Sequence, residues 1–336
     1  MDRRTYLQGI TSAAVVGVAG CAEIRGSQGY PSESITIIVP WAQGGGTDRS
    51  TRILVSPWQE EVNAEFVVEN YPGGSTQVGG ERLYNAEPDG YTVSMWNLPQ
   101  MNATRLFQNA PYTIEDFDYI GTNHFDPTMW FAGTQTPYEN MTDLIDDAKE
   151  RPGEITVGLT SAVGNTALSA LLVQDTYDVE FNLVNLEGGS SVRQNALGGQ
   201  VPVVVNQPWA FNPANIGEVT PLGSHTAERQ SLWPETPSFA ELGLDDIPLV
   251  DEGLGQWKLM MAPGGLKEEY PDRYQTLVDS YKRAMETEEY RESAAKQGNL
   301  NKILRYNGPD DTFEIVESVS DSMREFEGLF DTFRNR

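Results

Sequence analysis

The chain has 336 residues, long enough for two domains, with one large domain as the alternative, and its 39% hydrophobic and 10% aromatic residues are ordinary for a folded protein. Its 49 acidic and 23 basic residues give a formal net charge of −26, which argues against nucleic acid as a partner because phosphates would meet no basic surface. Only six of the basic residues are Lys. Since high salt screens the repulsion within an acidic surface, this composition predicts a halophilic protein, with an acidic mesophilic protein as the alternative.

The first 21 residues resemble an export signal that ends in a lipobox. Arg3-Arg4 begins a twin-arginine pattern, and the apolar run that follows, residues 10–19, is too short to remain as a membrane-spanning helix. Cys21, the only cysteine of the chain, ends the sequence V-A-G-C. We therefore predict export, lipid attachment at Cys21 to the outer face of the cytoplasmic membrane, and a tether over residues 22–30.

The next segment predicts a β-α-β-α-β unit with a parallel sheet. Residues 35–39 read ITIIV, a continuous apolar, β-branched run that is typical of a strand buried on both faces. Thr47 and Asp48 are suitable N-cap residues for the helix that follows the glycines. The predicted strands are 35–39, 65–69 and 91–96, and the predicted helices lie around 53–62 and 78–85.

The same alternation of strands and helices begins again after residue 116. Strands are predicted at 117–121, 130–132, 155–159, 180–184 and 201–205, and helices at 142–150, 167–176, 192–197, 267–286 and 313–333. Two α/β lobes follow from this order. We expect lobe one to comprise residues 30–121 and 253–336, and lobe two residues 122–252.

Two loops between a strand and a helix indicate an anion site. Residues 41–48 (WAQGGGTD) and 160–166 (TSAVGNT) each place free backbone N–H groups at the positive end of a helix dipole, where glycine lets a ligand approach the main chain. Because the loops belong to different lobes, we expect a ligand between them. A tight turn without a ligand is the alternative for the glycines. Asp48 is either a structural residue of the first turn or a ligand-site group.

The sequence contains no familiar catalytic or metal-binding motif. It has neither a P-loop nor a G-x-S-x-G pattern. The two histidines, His124 and His225, are distant in sequence and are expected to be ordinary loop residues. We therefore expect no catalysis, no cofactor and no metal ion.

Several stretches, in their order, resemble the substrate-binding receptors of tripartite tricarboxylate transporters. They are P-W-A-Q-G-G-G-T-D, V-V-E-N-Y-P-G-G, A-E-P-D-G-Y-T-V, T-S-A-V-G-N-T, L-G-G-Q-V, W-P-E-T-P-S-F-A-E-L-G-L and M-A-P-G-G-L. The resemblance spans residues 30–336. It implies an α/β, two-lobed type II periplasmic-binding-protein fold with a ligand cleft between the lobes. It also implies that a small organic carboxylate or amino acid is captured and delivered to membrane permease subunits.

The resemblance also implies ligand-binding positions and shows departures from the family. Gln43 stands in place of a usual Pro, Pro202 in place of an Asp, and Glu187 in place of a Lys; the last change favours a ligand with an amine or hydroxyls. The implied ligand-binding residues are Trp41, Ala42, Gln43, Gly44, Gly45, Gly46, Thr47, Asp48, Asn97, Thr160, Ser161, Val163, Gly164, Asn165, Thr166, Glu187, Gly188 and Asn206.

The sequence thus predicts a lipid-anchored, monomeric extracytoplasmic receptor without catalysis. Two alternatives use the same cleft. One is an exported α/β hydrolase with Asp48 or Glu187 as the base, and the other is a sensor that reports ligand occupancy to a signalling partner.

Overall fold

The structure, a computed structural model, describes residues 29–211, 217–251 and 253–334, with no side chains beyond residue 331. The predicted export signal, Cys21 and most of the predicted tether lie outside these residues. None of the described helices is both long and apolar enough to cross a bilayer.

The first of two five-stranded sheets has the order β2-β1-β3-β10-β4. Strand β1 is the apolar ITIIV run, and it pairs in parallel with β2 and β3 on its two sides, as the β-α-β-α-β pattern predicts. Strand β10 is antiparallel to both of its neighbours, β3 and β4. The strands are β1 (Ile35–Val39), β2 (Phe66–Asn70), β3 (Thr92–Leu98), β4 (Phe117–Pro127) and β10 (Gly255–Pro263).

The second sheet has the order β7-β6-β8-β5-β9. Strand β6 pairs in parallel with β7 and β8, while β5 is antiparallel to β8 and β9. Each sheet therefore joins a parallel α/β unit to antiparallel strands from elsewhere in the chain. The strands are β5 (Met129–Gly133), β6 (Thr156–Leu159), β7 (Asn182–Asn185), β8 (Val203–Asn206) and β9 (Val219–Ser224).

Twelve α-helices are named in the described part of the chain. Helix α1 begins at Gly46 with Gly45 as its N-cap, so the prediction of Thr47 or Asp48 as the N-cap is wrong. The helices are α1 (Gly46–Val62), α2 (Gln77–Tyr84), α3 (Gln100–Gln108), α4 (Met141–Glu150), α5 (Asn165–Tyr177), α6 (Gly189–Leu197), α7 (Pro208–Phe211), α8 (Leu266–Glu269), α9 (Pro271–Glu286), α10 (Glu288–Lys296), α11 (Pro309–Glu325) and α12 (Glu327–Arg334).

The two sheets form two lobes, and the chain crosses between them near residues 128 and 254. Strand β4 stays in the first sheet up to Pro127, and β5 of the second sheet begins at Met129. The chain re-enters the first sheet at Gly255. These crossings lie close to the lobe boundaries predicted at 121/122 and 252/253, which stay predictions.

Both histidines are fully buried. His124 lies in strand β4, so the expectation of a loop residue is wrong for it. His225 follows β9 and belongs to a chain of hydrogen bonds: Trp130 Nε1 donates to Ser169 Oγ (2.9 Å), Ser169 Oγ meets His225 Nδ1 (2.9 Å), and His225 Nε2 meets the Pro248 carbonyl (2.8 Å). These hydrogen bonds give both ring nitrogens of a neutral imidazole a partner, and burial lowers the pKa of His225 to about 4.

Candidate ligand-binding site

A cavity of about 240 Å³ lies between the two lobes. It is reached by the carboxyl ends of β1 and β3, by β4 and β10, and by the starts of helices α1 and α6. Most of its lining residues are polar residues or glycines, with Trp41 and two alanines among the others. The lining residues are Trp41, Ala42, Gln43, Gly45, Gly46, Thr47, Asn97, Asp126, Thr160, Glu187, Gly188, Gly189, Ser190, Ser191, Gln194, Asn206, Gln207, Ala210, Gln256 and Lys258.

Helix α1 presents its first turn to the cavity from the first lobe. Its N-cap, Gly45, makes no side-chain cap, and Gly45, Gly46 and Thr47 all line the cavity. The N–H groups of a first helical turn have no acceptor within the helix and carry the positive end of its dipole. The Thr47 hydroxyl donates to the Asn97 side chain at 3.0 Å, which fixes the turn against β3. This turn is therefore suited to bind an anion.

Helix α6, from the other lobe, also presents its first turn to the cavity. Its N-cap is Gly188, whose φ of 116° lies in a region that L side chains rarely adopt, and no side chain caps the helix. The Gly188 N–H donates to the Thr160 carbonyl at 2.7 Å and so ties this loop to the end of β6. Gly189, Ser190 and Ser191 line the cavity. The cavity therefore lies between two helix starts.

Four buried polar residues on one face of the first sheet form the inner end of the cavity, and we call them the polar cluster: Asn97, Asp126, Gln256 and Lys258. Strand register brings them together, because Lys258 is opposite Asn97 on β3 and Gln256 is opposite Asp126 on β4. Asp126 and Lys258 are each 3% exposed. Lys258 Nζ donates to Gln256 Oε1, which also accepts from Asn97 Nδ2 at 2.8 Å.

Burial opposes both charges of the polar cluster. It raises the pKa of Asp126 and lowers the pKa of Lys258, and the attraction between the two groups only partly offsets this. The only hydrogen bond to the Asp126 carboxylate from the described residues is that of the Trp209 N–H, which is long at 3.5 Å. Nearby, Arg49 lies over the Trp209 ring at 4.3 Å. The cluster therefore holds a cation and an anion that are both short of partners.

The cavity also has an unpartnered donor. Gln207 is 6% exposed, and its Nε2 atom has no hydrogen-bond partner within the part of the chain that the structure describes. A buried amide nitrogen without an acceptor is costly, and in native proteins such groups call for an explanation. An acceptor atom of a bound ligand would satisfy it.

The structure brings many of the predicted residues together around this cavity and leaves others away from it. The predicted residues that line it are Trp41, Ala42, Gln43, Gly45, Gly46, Thr47, Asn97, Thr160, Glu187, Gly188 and Asn206. The predicted residues that do not line it are Gly44, Asp48, Ser161, Val163, Gly164, Asn165 and Thr166.

Asp48 stabilises the loop before α1 through hydrogen bonds and does not itself line the cavity. Its carboxylate accepts hydrogen bonds from the Gly44 N–H (2.8 Å), Arg52 Nε (3.0 Å) and Asn70 Nδ2 (3.0 Å). Burial alone would raise the pKa of Asp48, but these bonds outweigh it and lower the pKa. Of the two roles left open by the sequence, the contacts favour the structural one.

The loop before α5 is filled by the protein's own side chains. Gln100 Nε2, from helix α3, donates to Ser161 Oγ and to the Val163 carbonyl, both at 2.8 Å. Asn165 Nδ2 donates to Thr128 Oγ1 at 2.7 Å. Of this loop only Thr160 lines the cavity. The second helix start at the cavity is thus that of α6, whereas the sequence predicts that of α5.

Sequence reasoning missed the charged inner end of the cavity. One signal was available: Lys258 interrupts an apolar run, W-K-L-M-M-A, in a chain with six Lys. A lysine inside a buried strand is uncommon unless it is paired. The lining residues missed are Asp126, Gly189, Ser190, Ser191, Gln194, Gln207, Ala210, Gln256 and Lys258.

The geometry gives little support to the hydrolase alternative. The Asp48 carboxylate is occupied by three donors, and Glu187 is exposed at the edge of the cavity. Within the described ranges there is also no group of three or more His, Cys, Asp or Glu residues that could hold a metal ion. The arrangement is one that binds a small polar molecule.

Two lobes, each built on a five-stranded α/β sheet with a polar cavity between them, define the periplasmic-binding-protein class, and the predicted fold is confirmed. Two solved structures share it. MatC from Rhodopseudomonas palustris, with bound malate, is 20% identical, with a TM-score of 0.77 over 90% of this chain and 100% of its own. Rpa4515 of R. palustris, with adipate, is 22% identical, with a TM-score of 0.80 over 90% of this chain and 99% of its own.

The family description "Tripartite tricarboxylate transporter family receptor" matches residues 51–307, and the chain belongs to this family of extracytoplasmic solute-binding receptors, as predicted. Two curated relatives are similar to this chain over most of their length. The UPF0065 protein in the gbd 5'region of Cupriavidus necator is 26% identical over 306 residues, 88% of this chain and 89% of its own. Protein BugT of Bordetella pertussis is 26% identical over 260 residues, 75% of this chain and 78% of its own.

Proposed function

We propose that the chain captures a small organic carboxylate by closing its two lobes around the cavity and delivers it to the membrane permease of a tripartite tricarboxylate-type transporter. The observation that carries the proposal is the convergence of two helix starts without side-chain caps and the buried Lys258 ammonium on one cavity. Two proteins of the same fold hold malate and adipate, which supports a carboxylate.

Hydrogen bonds from the donors at the cavity outweigh the repulsion between an anionic ligand and the acidic surface of the protein. A hydrogen bond to a charged group contributes roughly 1.5–3 kcal/mol, and the first turns of α1 and α6 together offer several. By contrast, repulsion from surface carboxylates falls off within a Debye length, about 8 Å at physiological ionic strength and about 3 Å at 1 M salt. An anion bound beside Lys258 would also restore part of the stabilisation that the ammonium loses on burial.

The size of the cavity fits a metabolite of a few carbon atoms. Its volume of about 240 Å³ lies below the roughly 300–1,000 Å³ of pockets that take drug-sized molecules. The lining offers backbone N–H groups, amides and hydroxyls on most sides. We therefore propose a compact ligand whose polar atoms are satisfied by both lobes.

The remaining parts of the proposal concern the place of the protein in the cell. The twin-arginine pattern and Cys21 support export and lipid anchoring to the outer face of the cytoplasmic membrane, and the charge of −26 supports a halophilic protein. Replacing Cys21 by Ala should move the protein from the membrane fraction to the soluble exported fraction. Retention of the Cys21→Ala protein in membranes would contradict the anchor.

A thermal-shift series in molar KCl tests the proposed function. The wild type is heated with small mono-, di- and tricarboxylates, with amino acids, and with the matching amides, in which each carboxylate is replaced by an uncharged carboxamide. Ligand at 100 times Kd stabilises the native state by about 2.7 kcal/mol, so at least one carboxylate should raise Tm by several degrees while its amide does not. If no carboxylate acts, or if an amide acts equally, the proposal is wrong.

Two lysine variants locate the binding site. In Lys258→Met the carboxylate-induced shift should be lost, because the buried cation is replaced by an apolar side chain of similar length. Lys302→Met removes an exposed lysine elsewhere in the first lobe's C-terminal region and should keep the shift. If Lys258→Met keeps the carboxylate-induced shift as Lys302→Met does, the ligand lies outside the cavity.

A further inference from the structure

The cavity is unusual for a site that binds a dicarboxylate, because its own lining carries more acid than base. Three lining residues are titratable: Lys258, Asp126 and Glu187. Glu187 is exposed at the edge, whereas Asp126 is buried with the ammonium of Lys258 in the polar cluster. With all three charged, the lining has one positive and two negative side chains.

Asp126 is not satisfied by its surroundings. A buried carboxylate normally accepts several hydrogen bonds or pairs with a cation, and leaving it otherwise is costly. In the described residues Asp126 has one long hydrogen bond, from the Trp209 N–H, and it takes part in none of the ion pairs. The carboxylate lines the cavity, so a ligand can reach it.

The structure assigns Asp126 as the residue that recognises a protonated amine on the ligand, which makes the ligand class a carboxylate that also carries an ammonium group. This inference rests on the proposed carboxylate receptor. The ligand carboxylate accepts hydrogen bonds from the N–H groups in the first turns of α1 and α6 and from the Lys258 ammonium. The ligand ammonium donates to Asp126. One molecule thereby provides a partner for each unsatisfied charge.

The nearby cations do not replace a ligand ammonium. Lys258 Nζ donates to Gln256 Oε1, and among the described residues it does not reach Asp126 at ion-pair distance. Arg49 lies over the Trp209 ring, and it is also repelled by the like charge of Arg193. Both cations act on Asp126 only at longer range.

Charge balance separates the two ligand classes. With Asp126 ionised the lining has a net negative charge, so a dicarboxylate would add two negative charges to it, and one of its ends would lie near Asp126. A monoamino monocarboxylic acid brings no net charge and matches both groups. Like charges that lie close to each other in a largely buried site repel each other strongly, so the preference should be large.

Matched ligand pairs test this inference by calorimetric titration in molar KCl. Each pair is an amino acid and the acid that lacks its amine: alanine and propionate, leucine and 4-methylpentanoate, 4-aminobutyrate and butyrate, glutamate and glutarate. In the best-binding pair the wild type should bind the amino member at least tenfold more tightly. In Asp126→Asn, which keeps the shape of the side chain, this ratio should fall at least tenfold.

The control variant is Asp246→Asn, which removes one negative charge from an exposed position outside the cavity and should keep the wild-type ratio. The inference is overturned if the wild type binds the acid without the amine equally well or better, or if Asp126→Asn leaves the ratio unchanged. Since the wild-type ratio needs no variant, poor folding of Asp126→Asn would not remove the test. If neither member of any pair binds, nor any carboxylate of the thermal-shift series, the proposed function fails as well.

Discussion

Helices α5 and α6 of the second lobe begin alike, yet only one of them lies open to the cavity. Both follow a strand of the parallel part of the sheet, and both have a glycine N-cap with positive φ, 110° at Gly164 and 116° at Gly188. Neither has a side-chain cap. At α6 the first turn lines the cavity, whereas at α5 Gln100 fills the space in front of the turn.

The difference shows that a glycine loop alone does not determine whether a helix start binds a ligand. A Cβ atom at Gly164 would collide with the Gln100 side chain, so this glycine makes room for a residue of the protein. A Cβ atom at Gly188 would meet only the Trp41 ring, at 3.7 Å, which is an ordinary van der Waals distance. What lies opposite the loop, which comes from a distant part of the chain, decides between a structural and a binding role.

The largest effect is expected from a negative charge at the start of α6. In Ser190→Asp the new carboxylate occupies the place of the ligand carboxylate and repels it, so binding should weaken at least 100-fold. Stability should be kept or slightly raised, because an acidic residue in a first helical turn contributes about 0.3–1 kcal/mol. Calorimetric titration and urea unfolding measure the two effects.

Thr142→Asp is the matched control for this change. It places the same charge in the exposed first turn of α4, outside the cavity. Its Kd should stay within about threefold of the wild-type value, because screening limits the reach of a surface charge. A loss of binding equal to that of Ser190→Asp would show that an added negative charge weakens binding even far from the cavity.

Opening the start of α5 should affect stability more than binding. Gln100→Ala removes two buried hydrogen bonds and leaves the Val163 carbonyl without the Gln100 donor, while Ser161 Oγ keeps only the Val163 N–H, which should cost about 2 kcal/mol of unfolding free energy. The ligand-induced rise in Tm should persist. Loss of that rise with unchanged unfolding free energy would instead make α5 a ligand-binding helix start.

Gln275→Ala is the control, because Gln275 also makes a side-chain hydrogen bond, to Asp279, but on the exposed surface of α9. Its effect on urea unfolding should be within about 0.5 kcal/mol.

The closed region around α5 should also have a distinct pH dependence. Ser169 of α5 bonds to His225, whose pKa burial lowers to about 4 from an ordinary 6.5. Between these values the unfolded chain takes up a proton that the folded chain does not, so stability falls as pH is lowered from about 6.5 to 4. In His225→Gln the loss of unfolding free energy between pH 7 and pH 5 should be smaller than in the wild type by about 1–2 kcal/mol. An identical pH dependence in both proteins would contradict a buried neutral His225.

The smallest effect is expected at Asp48, which supports the α1 loop from behind. Asp48→Asn weakens the contact to Arg52 but keeps an acceptor for the Gly44 N–H. Binding should weaken by about threefold to tenfold, through a less rigid first turn, which corresponds to roughly 1 kcal/mol. A loss as large as that of Ser190→Asp would favour direct contact between Asp48 and the ligand.

The local parts of the fold could be predicted from the sequence, and the long-range parts could not. The ITIIV run predicts β1 with its observed bounds, and the glycine-rich loop after it lines the cavity, although the N-cap of α1 is Gly45. Strand β10 was missed because it pairs with β3 and β4 from far along the chain, and it carries Lys258 to the cavity. The occupation of the α5 start by Gln100 depends in the same way on a contact between distant segments.

The central claim is that a ligand carboxylate lies between the starts of α1 and α6 beside Lys258. A crystal structure with the tightest-binding compound of the thermal-shift series tests it most directly. The carboxylate oxygens should lie at hydrogen-bond distance, about 2.7–3.2 Å, from backbone nitrogens of Gly46 or Thr47 and of Gly189 or Ser190. A carboxylate bound at the start of α5 with Gln100 displaced, or outside the cavity altogether, would contradict the claim.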